Sequence, residues 1–456
     1  MKKYLLSIFA IGLVLRLGYL FLFSAGRPVH IDEWSYYQLV NEFWLAGVDS
    51  NFVYHPPLYP LFMLAIFKVV GVSFIALQVI QLLMGGLTAV LAALIGKEIG
   101  NEKIGLIAGL VYAVSIRPVQ MPVMLLSETL FTFLLILAVW LFIKAIKKPQ
   151  PQISPIAQIG LRKICGYLCK LMVSLPNHPW FLLTYSGLLF GLAALTRSIA
   201  LVLPFLLAGY LIIRKEGRAK FLRSAIFVVI FAVTLLPWVI RNYRITGRFM
   251  PGSASYGNTF FWHNTDTMWA PGSDYISDIK LEDFKRYSGR LGNQVPQEYY
   301  HPSIKQMHQL IEGKNMAGPL AQADFYFNYT KEHLKTLSFR QIVKLELVKL
   351  YRLVLPYHPY YNPFPDLTFM ITLIFFCIFI YYFRRRNVSI NLMKEGIMVL
   401  WILIGYLLIM TLVFGGMPRY RDPYDPYIII LAVIGAKELA SRLRRTVRPI
   451  PAPNRL

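Results

Sequence analysis

Long apolar runs separated by short polar clusters set the character of this chain. Runs rich in Leu, Ile, Val, Phe and Ala occupy residues 4–23, 74–95, 104–118, 126–146, 180–196, 198–213, 221–240, 367–383, 394–414 and 424–441. A helix of about 20 such residues crosses the hydrocarbon of a bilayer, so the pattern predicts ten spans. The stretch 58–71 is apolar too, but it is short and holds Lys68. It reads as a re-entrant or interfacial helix. The predicted class is an all-α polytopic membrane protein. It has about ten transmembrane helices, re-entrant or juxtamembrane helices in a first outer loop, and a mostly helical outward loop domain.

Composition supports this class. Of 456 residues, 56% are hydrophobic and 15% charged, against roughly 45–50% and about 25% in soluble domains. The net charge of +24 would suggest nucleic acid in a soluble protein. Here it fits the basic bias of cytoplasmic loops and attraction to anionic headgroups, and no nucleic-acid module accompanies it. Cys165, Cys169 and Cys377 give no disulfide framework, and no further ligand stands at metal-binding spacing.

Charge also orients the spans. With ten spans and both termini cytoplasmic, the inner segments hold Lys97, Lys103, Lys144, Lys147, Lys148, Arg162, Lys163, Lys170, Arg214, Lys215, Arg218, Lys220, Arg223, Arg384, Arg385, Arg386, Lys394 and the basic tail from Lys437 to Arg455. The short outer segments hold few: Arg27, Lys68, Arg117, Arg197, Arg419 and Arg421. Making 58–71 a full span would invert everything after it and part Asp32 from Glu128. Lys2-Lys3 ahead of the first run resembles a signal peptide, but the run is longer than a typical signal core and reads as an uncleaved span. The expected organisation is a transmembrane catalytic module at 1–240 with its first outer loop at 24–73. An outward loop domain follows at 241–365, then terminal spans and a basic tail at 366–456. Within 325–355, apolar residues at helical period with basic flanks suit a helix lying in the interface. A second amphipathic helix is an open reading for 159–173, against an unstructured loop.

Five polar clusters fall on one predicted face: Asp32-Glu33, Ser127-Glu128, Arg197, Arg241-Asn242-Tyr243-Arg244 and Arg419-Tyr420-Arg421. Charges beside hydrocarbon are costly and mark sites. A carboxylate such as Asp32 can take a proton from an acceptor hydroxyl or amine. Arginine forks bind phosphate bidentately. Each cluster also has a plainer reading. Asp32-Glu33 and Ser127-Glu128 are good helix-start residues, Arg197 could snorkel, Arg241 could anchor a span exit, and the second arginine pair could knot with Asp422 or Asp425. His55, in Tyr54-His55-Pro56-Pro57-Leu58-Tyr59, is a candidate for positioning a substrate or an incidental loop histidine. No Asp-X-Asp triplet is present, which leans against a metal.

In this order, Asp32-Glu33, His55-Pro56-Pro57-Leu58-Tyr59, Leu126-Ser127-Glu128, Leu195-Thr196-Arg197, Pro237-Trp238-Val239-Ile240-Arg241-Asn242-Tyr243 with Gly247, and Arg419-Tyr420-Arg421 resemble the membrane glycosyltransferases of the C superfamily. The likeness is greatest to the family 39-like branch of protein mannosyltransferases and lipid A aminoarabinose transferases. That resemblance implies an inverting transfer of a sugar from a polyprenyl-phosphate donor to a lipid, glycan or protein acceptor, on the non-cytoplasmic face of a cell membrane. It implies Asp32 as base, with Glu33 or Glu128 positioning the acceptor. Arg197, Arg241, Arg244, Arg419, Tyr420 and Arg421 would hold the donor phosphate, and His55, Tyr59 and Asn242 would position substrate. No cofactor is required and a divalent cation, Mg or Mn, is optional. Rival readings are a lipid flippase or transporter, and a glycan polymerase or ligase using a lipid diphosphate.

Overall fold

The computed structural model describes residues 2–23, 31–46, 53–147, 178–214, 219–265, 318–354, 366–384 and 395–446. The expected amphipathic segment at 159–173, Cys165, Cys169 and the end of the basic tail lie outside these residues.

All regular structure among the described residues is helical. In chain order the helices are α1 (Lys2–Phe23), α2 (Ile31–Ala46), α3 (Leu58–Val70), α4 (Phe74–Ile99), α5 (Glu102–Val114), α6 (Ile116–Gln120), α7 (Glu128–Lys147), α8 (Pro179–Thr196) and α9 (Leu203–Ile213). Then come α10 (Ala219–Thr246), α11 (Tyr256–Asn264), α12 (Gly318–Thr336), α13 (Phe339–Val354), α14 (Leu367–Arg384), α15 (Glu395–Phe414), α16 (Pro418–Arg421) and α17 (Asp425–Thr446). Local chemistry sets several starts. Ser73 Oγ accepts from Ala76 N at 3.2 Å, and Asn101 Oδ1 accepts from Ile104 N at 3.0 Å, which satisfies amides that have no partner inside the helix.

Among the described residues, seven helices are long and apolar enough to cross a membrane: α1, α4, α7, α8, α10, α14 and α15. The run expected as a span at 104–118 forms a bent pair, 102–114 followed by 116–123, at 62°, which together is long and apolar enough for an eighth, broken span. Ser115 breaks it with extended backbone, and its Oγ donates to Val111 O at 2.7 Å. The run at 198–213 forms a short 3₁₀ turn and α9, only 11 residues long. The run at 424–441 lies in α17, which carries Lys437, Glu438 and Arg442 on its later turns and packs along α14 and against α5. The stretch at 58–71 forms the 13-residue α3, too short to span. Its buried residues Tyr59, Met63, Leu64 and Phe67 join the main core.

Close approach organises that core. A Cβ on Gly105 would stand 2.3 Å from Ala93 O, so a glycine there lets α5 lie against α4 backbone to backbone. Ion pairs between Lys147 and Glu98 and between Arg214 and Glu395 tie the bundle at the end where α4 and α7 finish and α15 begins. The single interfacial helix expected over 325–355 is two helices. Ser338 divides them: its backbone N–H donates to Gln341 Oε1 at 2.8 Å, while Gln341 N donates to Ser338 Oγ at 3.4 Å, a reciprocal cap that starts α13. Phe339, Val343, Leu347 and Tyr351 form an exposed apolar stripe on α13, and Leu345, Lys349 and Leu353 are buried on its other side.

Candidate functional site

Asp32 and Glu33 occupy the first turn of α2, where the helix dipole favours carboxylates. Adjacent helical residues point about 100° apart, and the two acids part company. Glu33 is fully buried, and its Oε1 accepts from the Leu125 amide at 2.6 Å. Asp32 keeps 29% of its side chain exposed, and its Oδ2 accepts from Arg419 Nη1 at 2.8 Å. Positions three and four residues after Asp32 share its face. There Ser35 Oγ stands 2.8 Å from His55 Nε2, and Tyr36 OH donates to Ser127 Oγ at 3.1 Å.

A second ion pair lies beside the first. Glu128 opens α7, is buried, and forms an ion pair with Arg197 Nη1 at 2.6 Å. Arg197 follows α8 in extended backbone, with φ −148°. Its Nη1 also donates to Ser127 Oγ at 3.2 Å, so Ser127 links Tyr36 to Arg197. The Tyr420 ring completes the group: Arg197 lies 5.8 Å and Arg419 5.4 Å from its centroid, within the range of cation–π attraction. Segments far apart in sequence therefore meet as two acid–guanidinium pairs around tyrosines and a histidine.

The electrostatics are set by burial beside charge. Burial pushes His55 down to about 4; Asp32 opposes this, while Arg197 and Arg419 reinforce it. His55 is therefore neutral near pH 7. Burial also raises the Tyr36 phenol, helped by the Asp32 carboxylate.

The other candidate residues have different surroundings. Tyr59 sends its hydroxyl to Gln81 Oε1 at 2.9 Å, and its ring centroid stands 4.8 Å from that of Tyr36. Arg421 donates to Asp425 Oδ1 at 2.9 Å and to Leu353 O at 3.0 Å, and lies 3.3 Å from the Phe369 ring centroid. The structure gives it the ion-pair knot, not a place among the partners of Asp32. Asp422, its neighbour, takes both arms of buried Arg117 at 2.7 and 2.6 Å. Arg241 donates to Asn242 Oδ1 at 3.0 Å and covers Trp238, whose ring packs with Leu39 of α2. Asn242 is buried and donates to Met250 O at 2.9 Å, which shapes the turn after α10, while Arg244 is exposed. Sequence reasoning missed Tyr36, Asn258, which donates to Tyr54 OH at 3.0 Å, and His263, 3.3 Å from the Tyr420 hydroxyl. Tyr36 could have been found by its helical spacing from Asp32; nothing local singles out the other two. Among the described residues, no three His, Cys, Asp or Glu side chains stand together as a metal ion would need.

The family model for dolichyl-phosphate-mannose-protein mannosyltransferase matches residues 54–161, about a quarter of the chain. No curated protein sequence matches. Among solved structures, the Archaeoglobus fulgidus oligosaccharyltransferase tethered to an acceptor peptide is similar with a TM-score of 0.53 and 13% identity, over 98% of this chain and 51% of that one. Its complex with Zn and sulfate gives 0.50 and 13%, over 97% and 50%. ArnT from Cupriavidus metallidurans, bound to undecaprenyl phosphate, gives 0.40 and 14%, over 99% and 82%. The chain thus spans about half the length of the oligosaccharyltransferase chains it matches. The helical architecture described above is, accordingly, similar in fold to that of the Archaeoglobus fulgidus oligosaccharyltransferase.

Proposed function

We propose that this protein transfers a sugar from a polyprenyl-phosphate donor to an acceptor hydroxyl or amine at the non-cytoplasmic membrane face, with both termini cytoplasmic. One observation carries the reading: a partly exposed carboxylate, Asp32, sits 2.8 Å from Arg419, beside a second pair, Glu128–Arg197, 2.6 Å long. A base and two guanidinium groups converge there. The family match across Tyr54, His55 and Glu128 supports a polyprenyl-phosphate donor, since dolichyl-phosphate mannose is such a donor.

The chemistry follows from the charges. The acceptor's lone pair attacks the anomeric carbon, its proton passes to the Asp32 carboxylate, and the bond from that carbon to the phosphate oxygen breaks. The leaving phosphate departs with the electron pair, and the acceptor's attack from the opposite face inverts the anomeric centre. Arg419 and Arg197 offset its charge. Phosphate is a weak base, so the leaving group needs no strong acid, unlike glycoside hydrolysis with its two carboxylates. In the free enzyme Arg419 is paired with the Asp32 carboxylate. An incoming phosphate competes for Arg419 and frees the carboxylate to accept a proton. Neutral His55 orients Ser35 on the Asp32 face.

The test is turnover of labelled undecaprenyl-phosphate hexose and pentose by the purified protein, with lipid, glycan and peptide acceptors. Release of sugar by the wild type and its loss in Asp32→Asn support the reading. Turnover untouched by Asp32→Asn removes the base. Movement of the lipid across the bilayer without bond cleavage makes the protein a transporter instead.

A further inference from the structure

His263 lies in the last turn of α11, outside every candidate motif, and is 1% exposed. One side of its ring lies against Gly415, whose φ is +106°. A Cβ at 415 would stand 2.1 Å from His263 Cγ. Only glycine leaves that space, and only glycine takes that backbone without strain. On its other side, His263 Nε2 is 3.3 Å from the Tyr420 hydroxyl, with ring centroids 5.7 Å apart and nearly edge-on.

Neighbouring contacts hold the same place. Lys349 of α13, fully buried, donates at 2.7 Å to Asn264 Oδ1 and at 2.7 Å to Leu412 O. Asn264 donates to Val413 O at 3.1 Å. The last carbonyls of α15 are therefore gripped by α11 and α13 just before the chain turns toward Arg419. The ring that His263 touches is the one faced by both Arg197 and Arg419.

We propose that His263 is a positioning residue: its contact with Tyr420 fixes the ring on which Arg197 and Arg419 rest, and so sets the spacing of the two guanidinium groups for a phosphate. This rests on the functional reading above. A histidine that merely fills the core would matter for folding and not for phosphate affinity.

The experiment uses the full chain in lipid nanodiscs with undecaprenyl phosphate as probe. His263→Phe and Tyr420→Phe each raise its Kd about five- to tenfold, the worth of one hydrogen bond in a dry site. The double variant is no worse than either single one. His263→Gln, whose amide can reach the phenol, recovers to within about twofold of wild type. Additive losses, or an unchanged Kd in the single variants, overturn the proposal. A ring-nitrogen NMR shift of His263 reads the contact even if the wild type binds no polyprenyl phosphate, which would sink the functional reading itself. Movement of that shift on Tyr420→Phe supports the contact, and a fixed shift overturns it.

Discussion

Two residues apart on a one-turn helix, Arg419 and Arg421 meet different fates. The first reaches Asp32, and the second is sealed between Asp425, Leu353 O and Phe369. Their substitutions should separate accordingly. Arg419→Gln loses donor affinity and turnover while the protein stays folded. Arg421→Gln strands Asp425 in the core at about 3–5 kcal/mol, so thermal unfolding falls while turnover per folded molecule holds. Asp32→Asn should cut kcat by about 10²–10⁴-fold, the usual loss of a positioned base, with little change in melting. Equal effects of the two arginine substitutions on both readouts would refute the division. The histidines give a pH prediction. His55 titrates near 4 and His263 near 3 when folded, both lowered first by burial, against about 6.5 unfolded. Between those values the unfolded chain binds protons that the folded one refuses. Stability should therefore hold above about pH 6.5 and fall as pH drops toward 4, by on the order of 3 kcal/mol for His55. His55→Gln should flatten that slope in melting scans across pH.

At the scale of elements, the segment from Ser115 to Ser127 explains what hydropathy could and could not reveal. The apolar composition continues across the break at Ser115, so the sequence pattern reads one span where the chain bends. Non-helical backbone at membrane depth survives only where the protein satisfies its polar groups. Here Gln78 donates to Val123 O at 2.6 Å, and Gln81 donates to Pro122 O at 2.9 Å and Met124 O at 2.7 Å. Glu33 takes the Leu125 amide. Two glutamines inside an apolar helix are visible in the sequence, yet their partners lie some forty residues away and follow no local rule. Glu33 reads equally well in sequence as an acceptor-positioning acid, and its burial gives it to the backbone instead. Gln81→Leu should leave the Tyr59 hydroxyl and two carbonyls without that partner, at about 1–3 kcal/mol for each group left bare. Thermal unfolding should show it, and turnover should fall too, because Ser127 and Glu128 follow directly. A Gln81→Leu protein as stable as wild type would mean the segment finds other partners.

For the whole molecule, charge distribution decided more than any motif. The distribution of basic residues makes 58–71 a re-entrant helix and so predicts Asp32 on the same face as Glu128. The structure ties α2, which carries Asp32, to Arg197, the partner of Glu128, through Tyr36 and Ser127. Pairings such as Arg117–Asp422, 305 residues apart, have no signature in spacing, which is why Asp422 could only be offered as a partner for its immediate neighbours. The same distribution makes a claim about orientation. Asp32, Arg197 and Arg419 gather at the end of the bundle where α4 begins, shown by Tyr37 against Phe74 at 5.3 Å. The pairs Lys147–Glu98 and Arg214–Glu395 mark the opposite end, where Lys97 and Lys144 stand in the last turns of α4 and α7. If basic loops stay cytoplasmic, a cysteine at exposed position 249, just past α10, reacts with a membrane-impermeant maleimide on intact cells. A cysteine at position 103, past the far end of α4, reacts only after permeabilisation. The background is a chain with Cys165, Cys169 and Cys377 replaced by serine. The reverse pattern would turn the protein over in its membrane and put the donor's phosphate on the wrong side for the proposed site. Labelling of both positions from one side would break the helix order itself.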